Sequence, residues 1–123
     1  MAKKKKILVA EDDRFLLKVY STKLEQAGYA VMTSNDGVEA LRKAHEVKPD
    51  LLLLDMIMPK KNGFDVLLEL KGDPETAAIP VIILSSLGQE SDVERGLQIG
   101  AADYLIKSNA SFKDVKEKIE QYI

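Results

Sequence analysis

The amino-acid sequence predicts an α/β fold, in which a doubly wound, five-stranded parallel sheet is covered by helices on both faces. Five short apolar runs alternate with five segments of helical periodicity, and the most apolar run, Leu-Leu-Leu-Leu at 51–54, has no polar position. Strands without polar positions are typical of parallel sheets, because helices pack on both faces of such sheets.

Each predicted strand is a short run of mainly apolar residues. The runs span residues 6–10, 30–34, 51–54, 81–84 and 104–106. Runs of this length, bounded by charged or turn-forming residues, favour strands over helices.

The segments after these runs have the spacing of amphipathic helices, with apolar residues three or four positions apart. The apolar positions are Leu16, Val19, Tyr20 and Leu24 in the first helix; Val38, Leu41 and Ala44 in the second; Phe64, Leu67 and Leu70 in the third, over 63–71; Val93 and Leu97 in the fourth; and Phe112, Val115, Ile119 and Tyr122 in the fifth.

Capping residues predict where these helices begin and end. A side-chain oxygen before the first turn accepts backbone N–H groups there, and an acidic residue three positions later completes a capping box. The predicted caps are Asp13 for the first helix, Asp36 with Glu39 for the second, Ser91 with Glu94 for the fourth and Ser111 with Asp114 for the fifth. The predicted stops are Gly28, Pro49 and Gly100.

Length and composition favour one globular domain over 1–123. The chain has 123 residues, of which 46% are hydrophobic and 31% charged, a balance unlike that of disordered chains. We find no linker, repeat or low-complexity tract, and we therefore expect a chain without an attached output domain.

Charge and residue usage exclude several classes of partner. The net charge is −2, which gives no broad basic surface, so we expect no direct nucleic-acid contact; the lysines at 3–6 are predicted to form a solvated arm. No cysteine is present, which excludes disulfides and thiolate zinc sites. No apolar stretch has the length of a membrane span or the character of a signal peptide, so we expect a cytoplasmic location and no membrane insertion.

Polar residues follow the predicted strands at the carboxyl edge of the sheet, where open α/β folds bind ligands. Glu11, Asp12 and Asp13 follow the first strand, Asp55 the third, Ser85 and Ser86 the fourth, and Lys107 the fifth. Two carboxylates about 4 Å apart repel by roughly 4 kcal/mol at an effective dielectric of about 20, so a cluster of them favours a cation. Carboxylate oxygens with water suit Mg²⁺, and a phosphoryl group would fit between such an ion, the lysine and a serine hydroxyl.

Taken singly, each of these residues is more typical of a solvated loop or a helix cap than of a functional site. Their joint position at strand ends favours a phosphoryl-transfer site with a carboxylate as acceptor. No Gly-rich phosphate-binding sequence opens a helix after a strand. The single histidine, His45, is predicted to be a surface residue, and Met32, Met56 and Met58 are predicted to fill gaps in the core.

At these residues the sequence resembles the receiver domain of bacterial response regulators of two-component systems, the chemotaxis regulators included. Four segments in order carry the resemblance and together extend over nearly the whole chain: ILVAEDD at 7–13, DMIMP at 55–59 with Gly63, PVIILS at 80–85 and GAADYLIK at 100–107. The resemblance implies a flavodoxin-like (βα)₅ fold with strand order 2-1-3-4-5.

The resemblance also implies a role for each matching residue. Asp55 would accept a phosphoryl group from a histidine of a sensor kinase or phosphotransfer protein. Asp12, Asp55 and the Ile57 carbonyl would bind Mg²⁺ directly, and Glu11 would bind it through water. Ser85 and Lys107 would contact the phosphoryl oxygens, and Ser85 with Tyr104 would form the switch that alters contacts with a downstream effector protein.

By this resemblance the chain is a signalling phosphoprotein rather than an enzyme, apart from Mg²⁺-dependent phosphorylation and dephosphorylation of itself. Two departures from the family pattern carry expectations. Ser108 stands where the family usually has a cis proline, so we expect a trans bond after Lys107 and a rearranged loop. The side chains of Ile57 and Leu87, each two residues after a site residue, cannot hydrogen-bond water, so we expect a long-lived phosphorylated state.

Two other functions are alternatives: an enzyme that also holds Mg²⁺ at the ends of parallel strands, and an interaction module on the same fold. An aspartyl-nucleophile phosphatase would resemble this site, but Met56 and Ile57 follow the acceptor where a second carboxylate would serve as general acid. A phosphorylation-independent interaction module would not need Asp12, Asp55, Ser85 and Lys107.

Overall fold

The computed structural model describes residues 3–123, and it contains five strands and five helices in strict alternation. In chain order the elements are β1 (Lys6–Ala10), α1 (Arg14–Gln26), β2 (Ala30–Ser34), α2 (Gly37–Val47), β3 (Leu51–Leu54), α3 (Gly63–Gly72), β4 (Val81–Ser85), α4 (Glu90–Ile99), β5 (Asp103–Ile106) and α5 (Phe112–Tyr122). All strands are parallel, and the sheet order is β2-β1-β3-β4-β5. The predicted fold class and strand order are confirmed.

The sheet divides the core into two layers, because successive side chains of a strand point to opposite faces. Leu8, Leu52 and Ile83 lie in the layer with α2 and α3, with α4 packed against it. Ile7 and Leu51 lie in the layer with α1 and α5. All four residues of β3 are at most 2% exposed, and burying each leucine contributes about 1.5–3 kcal/mol.

The predicted strand bounds hold to within one residue. β4 extends to Ser85, and β5 begins at Asp103. The methionines behave as predicted: Met56 and Met58 are buried, and Met32 packs against the same core layer.

Capping geometry explains most helix ends. The side chain of Asp13 accepts from the N–H groups of Phe15 and Leu16, and that of Asp36 accepts from the Glu39 N–H. The predicted capping box forms in full at Ser111 with Asp114, whereas at Asp36 the Glu39 side chain pairs with Lys43 and makes no return bond. α1 and α4 are followed by glycines at positive φ, Gly28 at 102° and Gly100 at 131°, which glycine adopts without steric cost.

The start of α4 differs from the prediction, whereas the predicted stop of α2 at Pro49 is confirmed. α4 starts at Glu90, because the N–H of Gln89 is held by the Asp92 carboxylate at 3.3 Å; Ser91 therefore lies inside the first turn and is not the cap. α2 ends at Val47, since Lys48 adopts a left-handed φ of 49°. The following Pro49 disfavours helical geometry at the residue before it.

Three apolar positions assigned to the core-facing sides of helices are exposed. Val38, Leu97 and Tyr122 are 50%, 45% and 39% exposed, at the edges of the buried stripes. No helix within the described part of the chain is long and apolar enough to cross a membrane.

Candidate functional site

The site is built where β1 and β3 end side by side. Ala10 pairs with Leu54 in the register of these strands, so the next residues, Glu11 and Asp55, emerge at the same level of the sheet. The Asp55 N–H donates to the Ala10 carbonyl at 3.0 Å, which continues the strand ladder into the site. Parallel register therefore explains why two carboxylates distant in sequence meet.

Three acidic side chains converge there as predicted. Glu11, Asp12 and Asp55 each place a carboxylate oxygen within 4.8 Å of the other two. Glu11 and Asp55 are each 4% exposed, whereas Asp12 is exposed to solvent. The cluster thus has a buried floor and an open side.

Lys107 provides the positive charge of the cluster. Its Nζ lies 2.9 Å from Asp55 Oδ2 and 2.5 Å from Glu11 Oε1. The backbone N–H of Lys107 donates to the Ser85 carbonyl at 2.9 Å, which extends the β4–β5 pairing. No peptide bond among residues 3–123 is cis, so the predicted trans bond between Lys107 and Ser108 is confirmed, and Lys107 reaches the acidic residues from that backbone.

Burial and charge raise the pKa values of Glu11 and Lys107, for different reasons. Desolvation raises the pKa of Glu11 to about 7, and the nearby Asp55 charge adds to the effect, although the bond from Lys107 opposes it. For Lys107, burial alone would lower the pKa, but the hydrogen bonds and negative charges of Glu11 and Asp55 outweigh it and raise the pKa. One lysine does not fully compensate the buried carboxylates.

Asp55 has a hydrogen bond on each carboxylate oxygen. Oδ2 accepts from Lys107, and Oδ1 accepts from the Ile57 N–H at 3.2 Å. A side chain at Gly63 would place its Cβ 2.3 Å from the Asp55 carbonyl oxygen, so the start of α3 packs directly on the Asp55 backbone. The Ile57 side chain is 49% exposed beside this group.

Ser85 and Tyr104 are linked through one backbone unit. The fully buried Ser85 hydroxyl accepts from the Leu87 N–H at 3.3 Å, and the Tyr104 hydroxyl donates to the Leu87 carbonyl at 2.6 Å. Among the hydrogen bonds of residues 3–123, none joins the Ser85 side chain to the acidic cluster. Ser85 therefore lies at the adjacent strand end, and its hydroxyl faces its own turn.

The mouth of the site includes residues that were not predicted as functional. Asp12, Asp36 and Lys60 line a cleft of about 310 Å³ together with Arg14, Asn35 and Pro59. Lys60 Nζ lies 3.5 Å from Asp36 Oδ2. The hydrogen bond from the Glu39 N–H lowers the pKa of Asp36, and the positive charge of Lys60 lowers it further. Asp36 follows the end of β2, so the rule used for the other strand ends would have found it; the sequence analysis assigned it only as a cap.

His45 has neighbours that the sequence did not reveal. Its Nε2 lies 3.7 Å from Asp73 Oδ2 and its Nδ1 lies 4.0 Å from Glu75 Oε2. The three side chains remain at least partly exposed, as expected for a surface histidine, and they lie at the carboxyl ends of α2 and α3. They belong to the edge of the sheet opposite the acidic cluster.

The donor set of the acidic cluster fits Mg²⁺. Its oxygens are all carboxylates, two of them buried and one open to water, and Mg²⁺ binds through one or two carboxylates while retaining waters. His45 could not contribute, because it lies at the other edge of the sheet.

Comparison with known proteins identifies similar chains. The sequence model described as "Response regulator receiver domain" matches residues 7–120. The chain is 42% identical over 102 residues to the DNA-binding dual master transcriptional regulator RpaA of Synechocystis. The matched region covers 83% of this chain and 42% of that protein. The chain spans about two fifths of the length of the first curated relatives it matches.

Solved structures share the fold over nearly the whole chain. The receiver domain of the Francisella response regulator 1452 has a TM-score of 0.89 at 31% identity, covering 96% of this chain and 95% of that one. The receiver domain of the sensor histidine kinase PA1611 from Pseudomonas aeruginosa has a TM-score of 0.88 at 27% identity, covering 98% of each chain, and that structure is described with a magnesium ion coordinated in its active site cleft.

Proposed function

This chain belongs to the family of response regulator receiver domains, and on that premise we propose that it accepts a phosphoryl group on Asp55 from a histidine of a partner kinase or phosphotransfer protein. The observation that carries the proposal is the pairing of a buried Asp55 carboxylate with Lys107 at 2.9 Å, beside two further carboxylates. A receiver domain is a signalling domain rather than a metabolic enzyme.

In the proposed step, an Asp55 oxygen attacks the phosphorus of the phosphohistidine. The new P–O bond forms as the P–N bond breaks, and the imidazole nitrogen keeps the electron pair of that bond. The Lys107 ammonium, 2.9 Å from Asp55, would contact the oxygens that gain charge, which is the positioning and electrostatic contribution that phosphoryl transfer requires.

Glu11, Asp12, Asp55 and the Ile57 carbonyl would hold Mg²⁺. When bound, this ion supplies positive charge to the phosphoryl oxygens. Receiver domains bind Mg²⁺ in this cleft, and the converging carboxylates of this chain support the same use.

The signal would leave the site through Ser85 and Tyr104. A phosphoryl group brings about −2 of charge and strong acceptor oxygens, so the Ser85 hydroxyl would donate to it. Because the Leu87 N–H donates to that hydroxyl and the Leu87 carbonyl accepts from Tyr104, the Tyr104 contact would change with it. The surface of α4, β5 and α5 would then favour a different set of partners.

We propose an effector protein as the downstream partner. RpaA is described as DNA-binding, but the matched region is 42% of that protein, so its DNA contact is not carried over to this chain. The single receiver domain over 1–123, the absence of an attached output domain and the cytoplasmic location remain predictions.

Phosphate incorporation from acetyl phosphate with Mg²⁺, measured by intact mass, tests the site. We expect the wild-type chain to gain one phosphoryl group and Asp55→Asn to gain none. Asp50→Asn is the matched control, because Asp50 immediately precedes β3 and Asp55 immediately follows it; it should label like wild type. Labelling of Asp55→Asn, or turnover of small phosphate esters by the wild type, would contradict the proposal.

A further inference from the structure

Gly96 has an unusual position for a glycine. It lies inside α4, where glycine destabilises a helix relative to alanine, and of the ten residues of α4, all of them described, it alone is buried. Neither a turn nor a positive φ requires it, since Gly28 and Gly100 are the described glycines at positive φ. The explanation must lie in what packs against it.

Two side chains occupy the space that a Cβ would take. An ideal Cβ on Gly96 would lie 2.6 Å from Ile83 Cδ1 and 3.1 and 3.3 Å from Tyr104 Cδ2 and Cε2. The Ile83 methyl is the end of a flexible chain and can rotate about χ2. The Tyr104 ring is rigid, so it can make room only by moving as a whole.

Moving the ring would disrupt the contacts that hold it. Tyr104 is 8% exposed, and its hydroxyl donates to the Leu87 carbonyl at 2.6 Å. The N–H of the same residue, Leu87, donates to the Ser85 hydroxyl. The location of the ring is therefore tied both to α4 and to the loop beside the acidic site.

We propose that Gly96 is a positioning residue for Tyr104: its missing side chain leaves the space in which the ring lies, and this space sets the inward orientation of the ring. An alanine at 96 would shift the ring outward, towards the surface of α4 and β5. The inference rests on the proposed function, in which Tyr104 belongs to the surface that responds to phosphorylation, and it names the residue that sets the resting state of that surface.

Fluorine NMR of the unphosphorylated chain labelled with 3-fluorotyrosine tests the inference. Four tyrosines give four signals, and Tyr104→Phe assigns the relevant one. In Gly96→Ala we expect the Tyr104 signal to shift and to gain the H₂O-to-D₂O isotope shift of an exposed ring, while the other three signals stay in place. An unchanged Tyr104 signal would overturn the inference.

Gly72→Ala is the matched control. Gly72 also lies in a helix, but nothing stands within 4 Å of a Cβ built on it. It should leave the Tyr104 signal unmoved, and an equal shift in both variants would overturn the inference. Combining Ile83→Val with Gly96→Ala removes the Cδ1 methyl, which is the atom nearest to the added Cβ. A return of the wild-type Tyr104 signal in this double variant would show that the added Cβ acts on Ile83 and not on the ring, which would overturn the inference.

A double-mutant cycle covers the case in which Gly96→Ala folds poorly. Urea denaturation is measured for Gly96→Ala in the wild-type and Tyr104→Ala backgrounds. We expect alanine at 96 to lower the midpoint in the first background and to raise it in the second, because the ring is absent there. Equal losses in both would contradict a role through Tyr104. All these measurements use unphosphorylated protein, so failure of phosphate transfer to Asp55 leaves them interpretable.

Discussion

Replacing Lys107 with methionine should destabilise the protein far more than losing a surface ion pair. The Lys107 ammonium is 19% exposed and contacts two side chains that are 5% and 4% exposed. At 2.9 Å and an effective dielectric of about 20, Coulomb's law gives about 6 kcal/mol for the Asp55 contact, and the lost hydration of the charges offsets several kcal/mol of this. Breaking a buried pair costs about 3–5 kcal/mol. We expect about 3 kcal/mol, because Glu11, with its pKa already raised to about 7, can take up a proton.

Urea denaturation at pH 7 with EDTA measures this loss, and Lys118→Met is the control. Lys118 pairs with Asp103 at 3.0 Å, but both side chains are partly exposed, at 36% and 24%, so its loss should cost much less than the loss of Lys107. Adding Mg²⁺ should narrow the deficit of Lys107→Met and leave that of Lys118→Met unchanged. Equal costs for the two variants, or a deficit of Lys107→Met that Mg²⁺ does not alter, would refute this account of the cluster.

Three further outcomes are expected. Ser34→Ala should leave the unfolding free energy unchanged or raise it by up to about 1 kcal/mol, because the buried Ser34 hydroxyl has no hydrogen-bond partner among residues 3–123. Thr76→Val should lower the unfolding free energy by about 1–2 kcal/mol, since the Thr76 hydroxyl donates to the Leu70 carbonyl. Thermal or urea unfolding distinguishes these two outcomes. Asp114→Asn should destabilise the protein at neutral pH: hydrogen bonds from the backbone and side chain of the helix cap lower the Asp114 pKa, so this contribution is present above the unfolded pKa and vanishes as pH falls through the folded one, which an unfolding series in acid would show. Ile57→Asn or Leu87→Asn should shorten the lifetime of the phosphorylated state, followed by intact mass in Mg²⁺, because an amide can orient an attacking water; equal lifetimes would exclude these side chains as the cause.

The strands and the acidic cluster were predictable because both depend on local signals. A run such as 51–54 can only be a buried strand, and parallel register then brings the residues after β1 and β3 together. The predicted caps at Asp13 and Ser111 form because a helix cap involves residues only two or three positions apart. The reach of Lys107 to Glu11 needed the three-dimensional path of the final loop, which no spacing in the sequence contains.

The features that the sequence analysis missed also depend on contacts between segments distant in the sequence. Ser91 with Glu94 and Gln89 with Asp92 are competing caps two residues apart, and the fold of the preceding loop decides between them. His45 meets Asp73 because α2 packs beside α3, a contact between distant residues that leaves no pattern in the sequence.

The central position of β3 has a consequence for how the molecule opens. This strand is paired on both sides and has no residue more than 2% exposed, whereas β5 is an edge strand paired only with β4. Backbone amides at 51–54 should therefore exchange with deuterium only when the whole domain unfolds, while those of the edge strand exchange through smaller excursions. Asp55 therefore follows the strand that is most resistant to local unfolding, whereas Tyr104 lies in an edge strand that opens more readily.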